Sequence, residues 1–460
     1  MQYCLVPLGC QMNLSDSERI RTVLESMGFE RTDDESRADL LGIVACSVRQ
    51  KAIDKVYARI HKWNQWKNRR ALLTFISGCI LPSDREKLLR RFDLLFTINE
   101  LPQLPDMIRQ YGVVTPLAGV PQQSSGEEGI PPPGIDDQST GYWHIRPTYS
   151  SSFEAYVPIQ NGCDKFCTFC AVPYTRGREV SRPSGEILAE VERLVQHGYR
   201  SITLLGQNVN SYGQDRNSQE IGFAELLRRI GQLGRRFEEP FWLYFTSPHP
   251  HDMSDEVIDV IAEYPCLAKQ IHLPLQSGDD RVLIRMNRNY RVSRYHRVVE
   301  KIRATIPQAT LFTDIIVGFS GETEEQFQNT VAAMRELRFN MAYVAMYSPR
   351  PGAASSRWAD DVPHEEKRRR LHLLSDVLHE TSGRYNRSLL GTRHTVLVEG
   401  TDRKPGYLSG RTEGRLIVRF AGDAVIEGSH AEVCITEAAP LSLTGELIGV
   451  RRPAAVGGTR

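Results

Sequence analysis

The sequence predicts an α/β protein with three folded parts: a small N-terminal parallel-sheet domain, a central partial barrel of six β/α repeats, and a small all-β barrel at the C-terminus. Three observations lead to this prediction. Apolar runs alternate with helical patterns over the first 112 residues, and a longer alternation of the same kind begins at Ala155. After about Arg384, short β-prone runs interrupted by glycines replace the helical pattern.

The N-terminal domain is expected to cover residues 1–115. Its β-prone runs are residues 3–8, 39–45 and 71–77. A helix predicted from Ser15 carries Ile20, Leu24 and Met27 at near-helical spacing and stops at Gly28. Repeated strand–helix–strand units favour a parallel sheet with helices on its faces. Residues 116–148, rich in Pro, Gln, Ser and Gly, are expected to form a mobile linker.

The central domain is expected to cover residues 149–384. Its predicted strands are residues 155–160, 201–205, 241–246, 270–275, 311–318 and 340–347. One intervening helix is predicted from Ser184, and another follows Thr323, where Gln326 completes a capping-box pattern. Because a complete eight-fold barrel needs about 250 residues, six repeats indicate an incomplete α/β barrel of the TIM type.

The C-terminal domain is expected to cover residues 385–450, followed by a disordered tail, 451–460. Its β-prone runs are residues 394–398, 415–420 and 431–435, and they alternate with glycines at 400, 406, 410, 414, 422 and 428. Short strands with frequent turn residues predict a small β-barrel.

Composition excludes several classes of protein. The 57 basic and 56 acidic residues nearly cancel, so the chain is no polyelectrolyte, although local basic patches remain possible. No apolar run approaches the roughly 18 residues of a membrane helix. The N-terminus lacks a secretory signal, and nine cysteines are too few, and odd in number, for a disulfide scaffold. We therefore expect a cytoplasmic protein.

Three cysteines form a C-x3-C-x2-C motif in the loop after the first predicted barrel strand: Cys163, Cys167 and Cys170. Three clustered thiolates can hold three irons of a cubane and leave the fourth iron without a protein ligand. A zinc site would need a fourth Cys or His, and none follows before His197. The alternative is that these are three unrelated loop cysteines with no metal-binding role.

Three further cysteines, Cys10, Cys46 and Cys79, are far apart in the sequence but each follows an apolar run. In a parallel sheet these run ends share one edge, so the thiols are predicted to converge there, where they could hold a second cluster. The small residues before them would allow close backbone approach. The alternative is three buried core cysteines, because free cysteine is often buried. The lone cysteines Cys4, Cys266 and Cys434 are expected to be structural.

The C-x3-C-x2-C motif resembles that of the radical S-adenosylmethionine (SAM) enzymes. The resemblance implies a 4Fe-4S cluster whose open iron is chelated by SAM, which is then cleaved to a 5′-deoxyadenosyl radical. It also implies that Phe169 lies near the adenine of the cofactor, although ordinary packing is an equal alternative. Strand-end Gln276 and Arg182 are further candidates for cofactor binding. Arg182 could instead meet a phosphate. Polar residues predicted at the same strand ends are Gln207, Asn208, Ser247, His249 and Asp314.

Further motifs resemble the methylthiotransferases, in particular their MiaB-type, tRNA-modifying branch. They are Gly9-Cys10-Gln11-Met12-Asn13, Ala45-Cys46-Ser47-Val48-Arg49, Pro173-Tyr174-Thr175-Arg176-Gly177-Arg178, Leu273-Pro274-Leu275-Gln276-Ser277-Gly278, Thr313-Asp314-Ile315-Ile316-Val317-Gly318-Phe319 and Tyr347-Ser348-Pro349-Arg350-Pro351-Gly352. The C-terminal module is similar to the family's RNA-binding TRAM domain. The resemblance covers nearly the whole chain, apart from the long insertion near residues 113–147.

This resemblance implies two 4Fe-4S clusters and a division of labour between them. Cys10, Cys46 and Cys79 would hold the cluster that carries a sulfur, which one SAM methylates. Cys163, Cys167 and Cys170 would hold the cluster at which a second SAM gives the radical. The implied product is a methylthio group at C2 of N6-isopentenyladenosine 37, in the anticodon stem-loop of a tRNA. We expect a monomer that takes electrons from a separate donor.

Two basic segments are candidate RNA contacts. Residues 49–70 hold eight Lys or Arg against one acidic residue, with Trp63 and Trp66, and residues 281–303 hold eight against one, with Tyr290 and Tyr295. A solvated helix face is an equal alternative for each segment. The positions expected to supply basic contacts are Lys55, position 58, Lys62, Arg285, Arg288 and Arg291.

The sequence leaves three other functions open. Sibling enzymes would apply the same chemistry to threonylcarbamoyl-adenosine in tRNA or to an aspartate of a ribosomal protein, although the motifs around Asp164 and Tyr174 favour the isopentenyladenosine branch. A zinc-stabilised RNA-binding protein would be colourless and free of iron. An electron-transfer protein is disfavoured, because two four-ligand sites would be expected in place of two cysteine triplets.

Overall fold

The computed structural model describes residues 1–46, 50–111, 141–216 and 219–451. The chain forms two compact units. The first comprises Met1–Ser150, Asn161–Asp164 and Ala171–Arg182, and the second comprises Ser151–Gln160, Lys165–Cys170 and Pro183–Arg460. None of the helices in the described ranges is both long and apolar enough to cross a membrane.

The first unit is built on a parallel sheet of five strands in the order β2-β1-β3-β4-β5. These strands are β1 (Gln2–Leu8), β2 (Glu30–Arg31), β3 (Leu40–Cys46), β4 (Leu73–Cys79) and β5 (Leu94–Leu95). The helices are α1 (Gln11–Ser26), α2 (Gln50–Lys67), α3 (Pro82–Leu89) and α4 (Leu104–Gln110), with a short 3-10 helix at Ile98–Gln103. The predicted parallel sheet is thus confirmed, and α1 begins four residues before Ser15.

Residues of the predicted linker contribute to the core of the first unit. Residues 112–140 lie outside the described ranges. Gly141–His144 forms a 3-10 helix whose Tyr142 and Trp143 are buried with the apolar residues of α1 and α4. A mobile linker therefore does not extend over these two aromatic residues, because burying them removes a large apolar area from water.

The chain passes between the two units several times around the cysteine motif. Strand β6 (Glu154–Pro158) belongs to the second unit, and β7 (Gln160–Asn161) lies at the boundary. Helix α5 (Val172–Arg176) and strand β8 (Val180–Ser181) belong to the first unit.

The second unit contains two three-stranded parallel sheets, β10-β9-β6 and β11-β12-β13, joined by a bridge between Leu243 and Leu267. Its further strands are β9 (Ser201–Leu205), β10 (Trp242–Phe245), β11 (Gln270–His272), β12 (Thr310–Val317) and β13 (Met341–Met346). Its helices are α6 (Ser184–Gln196), α7 (Phe223–Gly234), α8 (Asp255–Glu263), α9 (Asp280–Arg285), α10 (Val292–Thr305), α11 (Glu324–Leu337) and α12 (His364–Arg387), with 3-10 turns at Val209–Ser211, Gln214–Arg216 and Ala354–Arg357.

These six strands confirm the predicted partial barrel. The capping box predicted at Thr323 is also present, because its hydroxyl accepts a hydrogen bond from the Gln326 backbone N–H over 3.3 Å. Strand β11 is three residues shorter than predicted. The chain that follows it includes Gln276, whose backbone φ is +70°.

The C-terminal part of the second unit is a closed five-stranded barrel in the order β14-β15-β16-β18-β17. Its strands are β14 (Arg393–Thr401), β15 (Tyr407–Thr412), β16 (Ile417–Ala421), β17 (His430–Ala439) and β18 (Ser442–Arg451), and a 3-10 turn lies at Ala424–Ile426. The all-β prediction is confirmed, but β15 and β18 were missing from it because glycines interrupt their apolar pattern.

The closed barrel packs against the amino ends of the central strands. Its turn at residues 413–415 supplies the Glu413 carbonyl to the Tyr244 hydroxyl over 3.1 Å and the Gly414 carbonyl to the Thr310 hydroxyl over 2.7 Å. Arg415 donates to the Thr203 hydroxyl over 2.9 Å and stacks on the Tyr244 ring. The carboxyl ends of the strands, from which the candidate site residues emerge, are at the other end of the partial barrel.

Candidate functional site

The three N-terminal cysteines lie at one edge of the parallel sheet, as predicted. Cys46 and Cys79 are the last residues of β3 and β4 and are direct neighbours in the strand register. Cys10 follows β1 and is the N-cap residue of α1. Parallel strands place their carboxyl ends together. This explains how three cysteines separated by intervals of 36 and 33 positions come to one edge of the sheet.

Asn13 connects two of these thiols. Its Oδ1 lies 3.5 Å from Cys10 Sγ and accepts the Cys10 backbone N–H over 3.2 Å. Its Nδ2 lies 3.9 Å from Cys79 Sγ and donates to the Ala45 carbonyl over 3.3 Å. The amide therefore holds Cys10 and Cys79 in a fixed relation at the sheet edge.

Two small residues make room for this arrangement. A Cβ atom at Gly9 would lie 2.0 Å from Asn13 Oδ1, and one at Gly78 would lie 2.3 Å from the Ala45 carbonyl. Gly78 also has φ at +106°, a conformation that side chains with a Cβ rarely adopt. The expectation that small residues before the cysteines permit close approach is confirmed at these positions.

The environment of Cys79 favours its thiolate, the form that binds metal. A hydrogen bond from Cys46 and the charge of Arg176 lower the pKa of the Cys79 thiol, against the opposing effect of burial. Arg176 Nε lies 3.0 Å from Cys79 Sγ. In the described ranges, no three Cys, His, Asp or Glu side chains are close enough together to hold a single metal ion.

The cysteines of the C-x3-C-x2-C motif are divided between the two units. Cys163 belongs to the first unit, where its N–H donates to the Gly177 carbonyl over 3.2 Å. Cys167 and Cys170 belong to the second, and the Cys170 N–H donates to the Cys167 carbonyl over 3.0 Å. Their loop is anchored at Thr168, whose hydroxyl donates to the Arg285 carbonyl and whose N–H donates to the Met286 carbonyl.

Arg288 contacts this motif, whereas the sequence predicted it as an RNA contact. Its side chain is buried, with Nη1 at 3.4 Å from Cys167 Sγ and Nη2 donating to the Pro274 carbonyl over 3.1 Å. The guanidinium also stacks on the Tyr290 ring at 5.4 Å. The RNA prediction for Arg288 is wrong, because a run of charges in the sequence does not reveal which members face inward.

A group of buried polar atoms surrounds the carboxyl ends of the central strands. None of them has a hydrogen-bond partner among the described residues, although an unpaired buried polar atom costs about 1–3 kcal/mol. Four are amide oxygens that accept hydrogen bonds, and one is an imidazole nitrogen. The atoms are Gln160 Oε1, Gln207 Oε1, Asn208 Oδ1, Gln276 Oε1 and His249 Nε2. Such a set fits a ligand that carries both N–H or O–H donors and an anionic acceptor, as SAM does.

His249 is the donor of this set. Its Nδ1 accepts the His251 backbone N–H over 3.2 Å, so the neutral ring carries its proton on Nε2. Burial, followed by the charge of Arg288, holds the pKa of the imidazole far below its ordinary value, so the ring is neutral. A neutral buried imidazole with a free N–H is typical of a ligand site.

Gln276 shows how the site is shaped. The residue has φ at +70°, and its backbone N–H donates to the Asp314 carbonyl over 2.8 Å. Strained backbone of this kind is typical of ligand sites. Gln160 also contributes an acceptor. The sequence did not indicate it as a site residue, because it ends an apolar run just before the cysteine motif.

The other predicted cofactor residues occupy different surroundings. Phe169 is partly buried against an apolar group of the second unit formed by Val282, Met286, Phe319 and Tyr347. Arg182 is buried in the first unit. The contact of Phe169 agrees with the packing alternative, and a role toward a cofactor remains a prediction for both residues.

The first basic segment is partly neutralised. Arg59 and Lys62 approach the Glu35 carboxylate at 3.3 and 3.5 Å, while Lys55 is exposed. Trp63 is fully buried in the core and donates to Glu35 over 3.0 Å, so it is not available to stack on bases. Residues 47–49 lie outside the described ranges.

The expectation of a basic contact at position 58 is wrong. That position holds Ala58, which is exposed on α2 but has only a methyl side chain and no charge to bind a phosphate. The basic residue of this helix turn is the next one, Arg59, which lies 3.3 Å from the Glu35 carboxylate. The basic residues that α2 can offer around this position are therefore Lys55, Arg59 and Lys62.

The second basic segment is less open than predicted. Arg285 donates to the Gly321 carbonyl over 3.1 Å, and Arg291 pairs with Asp280 at 3.3 Å. Tyr290 and Tyr295 are buried, and their hydroxyls donate to the Leu275 and Leu273 carbonyls. The prediction that these two rings stack on bases is therefore wrong, because they serve the core.

Comparisons with known proteins agree with this architecture. Family models match the chain for the Radical SAM superfamily at residues 157–334, the Uncharacterized protein family UPF0004 at 2–97 and the TRAM domain at 387–448. The structure of the radical S-adenosylmethionine methyltransferase TsrM from Kitasatospora setae matches with a TM-score of 0.55 and 14% identity, over 91% of this chain and 80% of that chain. The fold and the Radical SAM family model thus define a radical SAM enzyme, a class that uses a 4Fe-4S cluster and SAM.

Two curated relatives narrow the assignment. The tRNA-2-methylthio-N(6)-dimethylallyladenosine synthase of Geobacter sulfurreducens is 40% identical over 444 residues, which cover 96% of each chain. The same enzyme of Francisella tularensis subsp. novicida is 39% identical over 448 residues, covering 96% of this chain and 98% of the relative. The chain belongs to the family of tRNA-2-methylthio-N(6)-dimethylallyladenosine synthases.

Proposed function

We propose that this protein inserts a methylthio group at C2 of N6-isopentenyladenosine 37 in the anticodon stem-loop of tRNA. One observation carries the proposal: two separate groups of three cysteines occur in a chain of this family, and the N-terminal three meet at one edge of a parallel sheet. A C–H bond of an aromatic ring is not opened by side-chain bases near neutral pH, so radical chemistry suits this substrate.

Each cysteine group is assigned one cluster. Cys163, Cys167 and Cys170 hold the 4Fe-4S cluster of the radical SAM superfamily, and Cys10, Cys46 and Cys79 hold a second one. When bound, these groups supply a 5′-deoxyadenosyl radical from SAM and an iron that can carry the sulfur for insertion. The lowered pKa of Cys79 and the missing fourth protein ligand in each motif support this assignment.

Residues of the chain bind and orient the cofactor. Gln276, with its unpaired Oε1, accepts a hydrogen bond from SAM, and His249 donates one to it from Nε2. Phe169 contributes an apolar wall near the adenine, and Arg182 supplies a cation for a carboxylate or a phosphate. Gln276 has the strongest support of the three predicted cofactor residues, because its backbone strain and unpaired oxygen coincide.

The substrate RNA contacts two regions in this proposal. The closed C-terminal barrel belongs to the TRAM domain, and α2 presents Lys55 together with Arg59 and Lys62 to phosphates. Arg285 and Arg291 are further candidates, and like Arg59 and Lys62 they have protein partners. The enzyme acts as a monomer and receives electrons from a separate reducing protein.

The experiment is an anaerobic incubation of the reconstituted enzyme with isopentenylated tRNA, reductant and SAM, followed by mass analysis of the nucleosides. We expect added methylthio mass on isopentenyladenosine. Parallel reactions with threonylcarbamoyl-adenosine tRNA and with the ribosomal-protein substrate of the sibling enzymes should stay unmodified. Cys434→Ala, which removes a lone barrel thiol, is the matched control for cysteine variants and should retain activity.

An enzyme with both clusters intact that adds no methylthio mass to isopentenylated tRNA would contradict the proposal. Modification of one of the other two substrates would move the assignment to that sibling activity. A preparation that contains zinc and lacks iron would instead support a zinc-stabilised RNA-binding protein.

A further inference from the structure

We propose that Arg176 is a positioning residue that holds Cys79 and raises the reduction potential of the N-terminal cluster. The inference rests on the proposed function, because it assumes that Cys10, Cys46 and Cys79 hold a cluster. It adds a residue that is distant from them in the sequence and follows the C-x3-C-x2-C motif instead.

The guanidinium of Arg176 makes three hydrogen bonds with distinct partners. Nε donates to Cys79 Sγ over 3.0 Å, Nη1 to Asn161 Oδ1 over 3.2 Å and Nη2 to Asp16 Oδ2 over 2.5 Å. All four residues belong to the first unit. Because the donors of a guanidinium form a rigid planar fork, Asp16 and Asn161 fix the direction in which Nε points at the sulfur.

Burial makes this contact strong. The side chains of Arg176 and Asp16 are each only 3% exposed. Charged hydrogen bonds in such a setting are roughly twice as strong as neutral ones, and they are weakly screened by salt. The position of the guanidinium is therefore set by an ion pair within the protein.

Cys79 differs from Cys10 in this respect. Cys10 faces the side-chain oxygen Oδ1 of Asn13, whereas Cys79 faces the guanidinium of Arg176 and the side-chain nitrogen Nδ2 of Asn13. Hydrogen bonds to cluster sulfurs and nearby positive charge stabilise the more negative, reduced form of an iron–sulfur cluster. Arg176 should thus raise the potential of the cluster and draw electron density from the Cys79–iron bond.

The same arginine connects the two cysteine groups within the first unit. Arg176 is the last residue of α5, and the next residue, Gly177, accepts the backbone N–H of Cys163 over 3.2 Å. The side chain that contacts Cys79 and the carbonyl that contacts Cys163 therefore belong to adjacent residues. A shift of Arg176 would displace the backbone that holds Cys163.

The test uses the full chain with Cys163, Cys167 and Cys170 all changed to Ala, so that only the N-terminal cluster can be assembled. Its iron content and its midpoint potential are measured in an anaerobic titration followed by electron paramagnetic resonance. Arg176→Gln, Asp16→Asn and the double variant are compared with this parent. Arg109→Gln, which breaks the exposed ion pair with Asp106, is the matched control.

The two single variants should shift the potential in opposite directions. Arg176→Gln leaves the Asp16 charge and lowers the potential, whereas Asp16→Asn leaves the Arg176 charge and raises it. The double variant restores charge balance but lacks the donor to Cys79, so its midpoint potential should lie between those of the parent and Arg176→Gln. Arg176→Lys keeps the charge and should restore part of the shift. A purely structural role predicts no such reversal of sign.

Each outcome decides between the two proposals. Unchanged potentials in Arg176→Gln and Asp16→Asn, with iron retained, would overturn the role of Arg176 and leave the proposed function standing. A parent that binds no iron would overturn the second cluster itself, and the present inference with it. Loss of iron in Arg176→Gln, with iron retained in the charge-balanced double variant, would support a charge effect at Cys79.

Discussion

The two cysteine groups each have a buried arginine beside one thiol, but the two arginines are held differently. Arg176 donates to Cys79 and forms an ion pair with Asp16. Arg288 donates to Cys167, and its other described contacts are the Pro274 carbonyl and the Tyr290 ring, with no carboxylate among them. The first guanidinium thus has a carboxylate partner, and the second has none among its described contacts.

This difference changes the local electrostatics of the two sites. A compensated pair contributes mainly a directed hydrogen bond, whereas an uncompensated guanidinium in a poorly solvated place adds its full positive charge. The barrel site can therefore attract a negatively charged cofactor group, and the N-terminal site cannot do so to the same extent.

The largest expected contrast comes from removing one thiol from each group. Cys79→Ala should lose about half of the iron, because one of two clusters loses a ligand, and all methylthiolation, yet still cleave SAM to 5′-deoxyadenosine. Cys163→Ala should lose a similar share of iron and both activities, because the radical arises at that site. Iron analysis and mass detection of 5′-deoxyadenosine and of the modified nucleoside check these outcomes. Methylthiolation by Cys79→Ala would refute the division of labour.

The two arginines should differ in what their loss costs the fold. Arg176→Gln leaves the buried Asp16 carboxylate unpaired, which costs about 3–5 kcal/mol in free energy of unfolding. Arg288→Gln leaves only neutral groups without a partner and should cost about 1–3 kcal/mol. Urea unfolding of the cluster-free proteins measures both, with Arg109→Gln as the exposed control. Equal costs would mean that Asp16 does not distinguish the two sites.

The sequence predicted that the three N-terminal cysteines meet at one sheet edge, but it did not predict that Arg176 and Arg288 contact cysteines. Cys10, Cys46 and Cys79 could be placed together because each follows a β-prone run, and parallel strands end at one edge. Arg176 is 97 residues from Cys79, and Arg288 is 121 residues from Cys167. Contacts at such separations follow from the packing of segments and leave no period or spacing in the sequence.

In the basic segments, the sequence suggested a functional surface where several of the residues are buried. The count of charges at 281–303 suggested an RNA surface, but Arg288 and two tyrosines of that segment are buried. Charge density depends on composition, whereas exposure depends on which helix face meets the core. The exposed Lys62 of α2 and the buried Trp63 next to it illustrate this, because adjacent helical residues point about 100° apart.

A substitution at Gly78 tests whether the N-terminal site depends on close backbone approach. Gly78→Ala places a Cβ 2.3 Å from the Ala45 carbonyl at a φ of +106°, which should cost about 1–3 kcal/mol and reduce iron binding. Gly185→Ala, in α6, meets no atom within 4 Å and should stabilise the fold slightly. Urea midpoints and iron content of the two variants check this. Unchanged iron binding in Gly78→Ala would show that the edge can relax.

The smallest expected effect on the fold comes from Gln276 at the barrel site. Gln276→Gly relieves a backbone at φ +70° but gains chain entropy in the unfolded state, so the two effects should nearly cancel, within about 1 kcal/mol. The affinity for SAM should nevertheless fall, because the unpaired Oε1 is lost. Gln276→Asn keeps an amide and tolerates the same backbone, so it should bind more tightly than the glycine variant. Equilibrium binding of SAM to the reconstituted enzyme measures this. Equal affinity for SAM in all three proteins would show that the strained backbone at Gln276 serves the fold and not the cofactor. Binding at the barrel site would then depend more on the charge of Arg288 than on the unpaired amide oxygens.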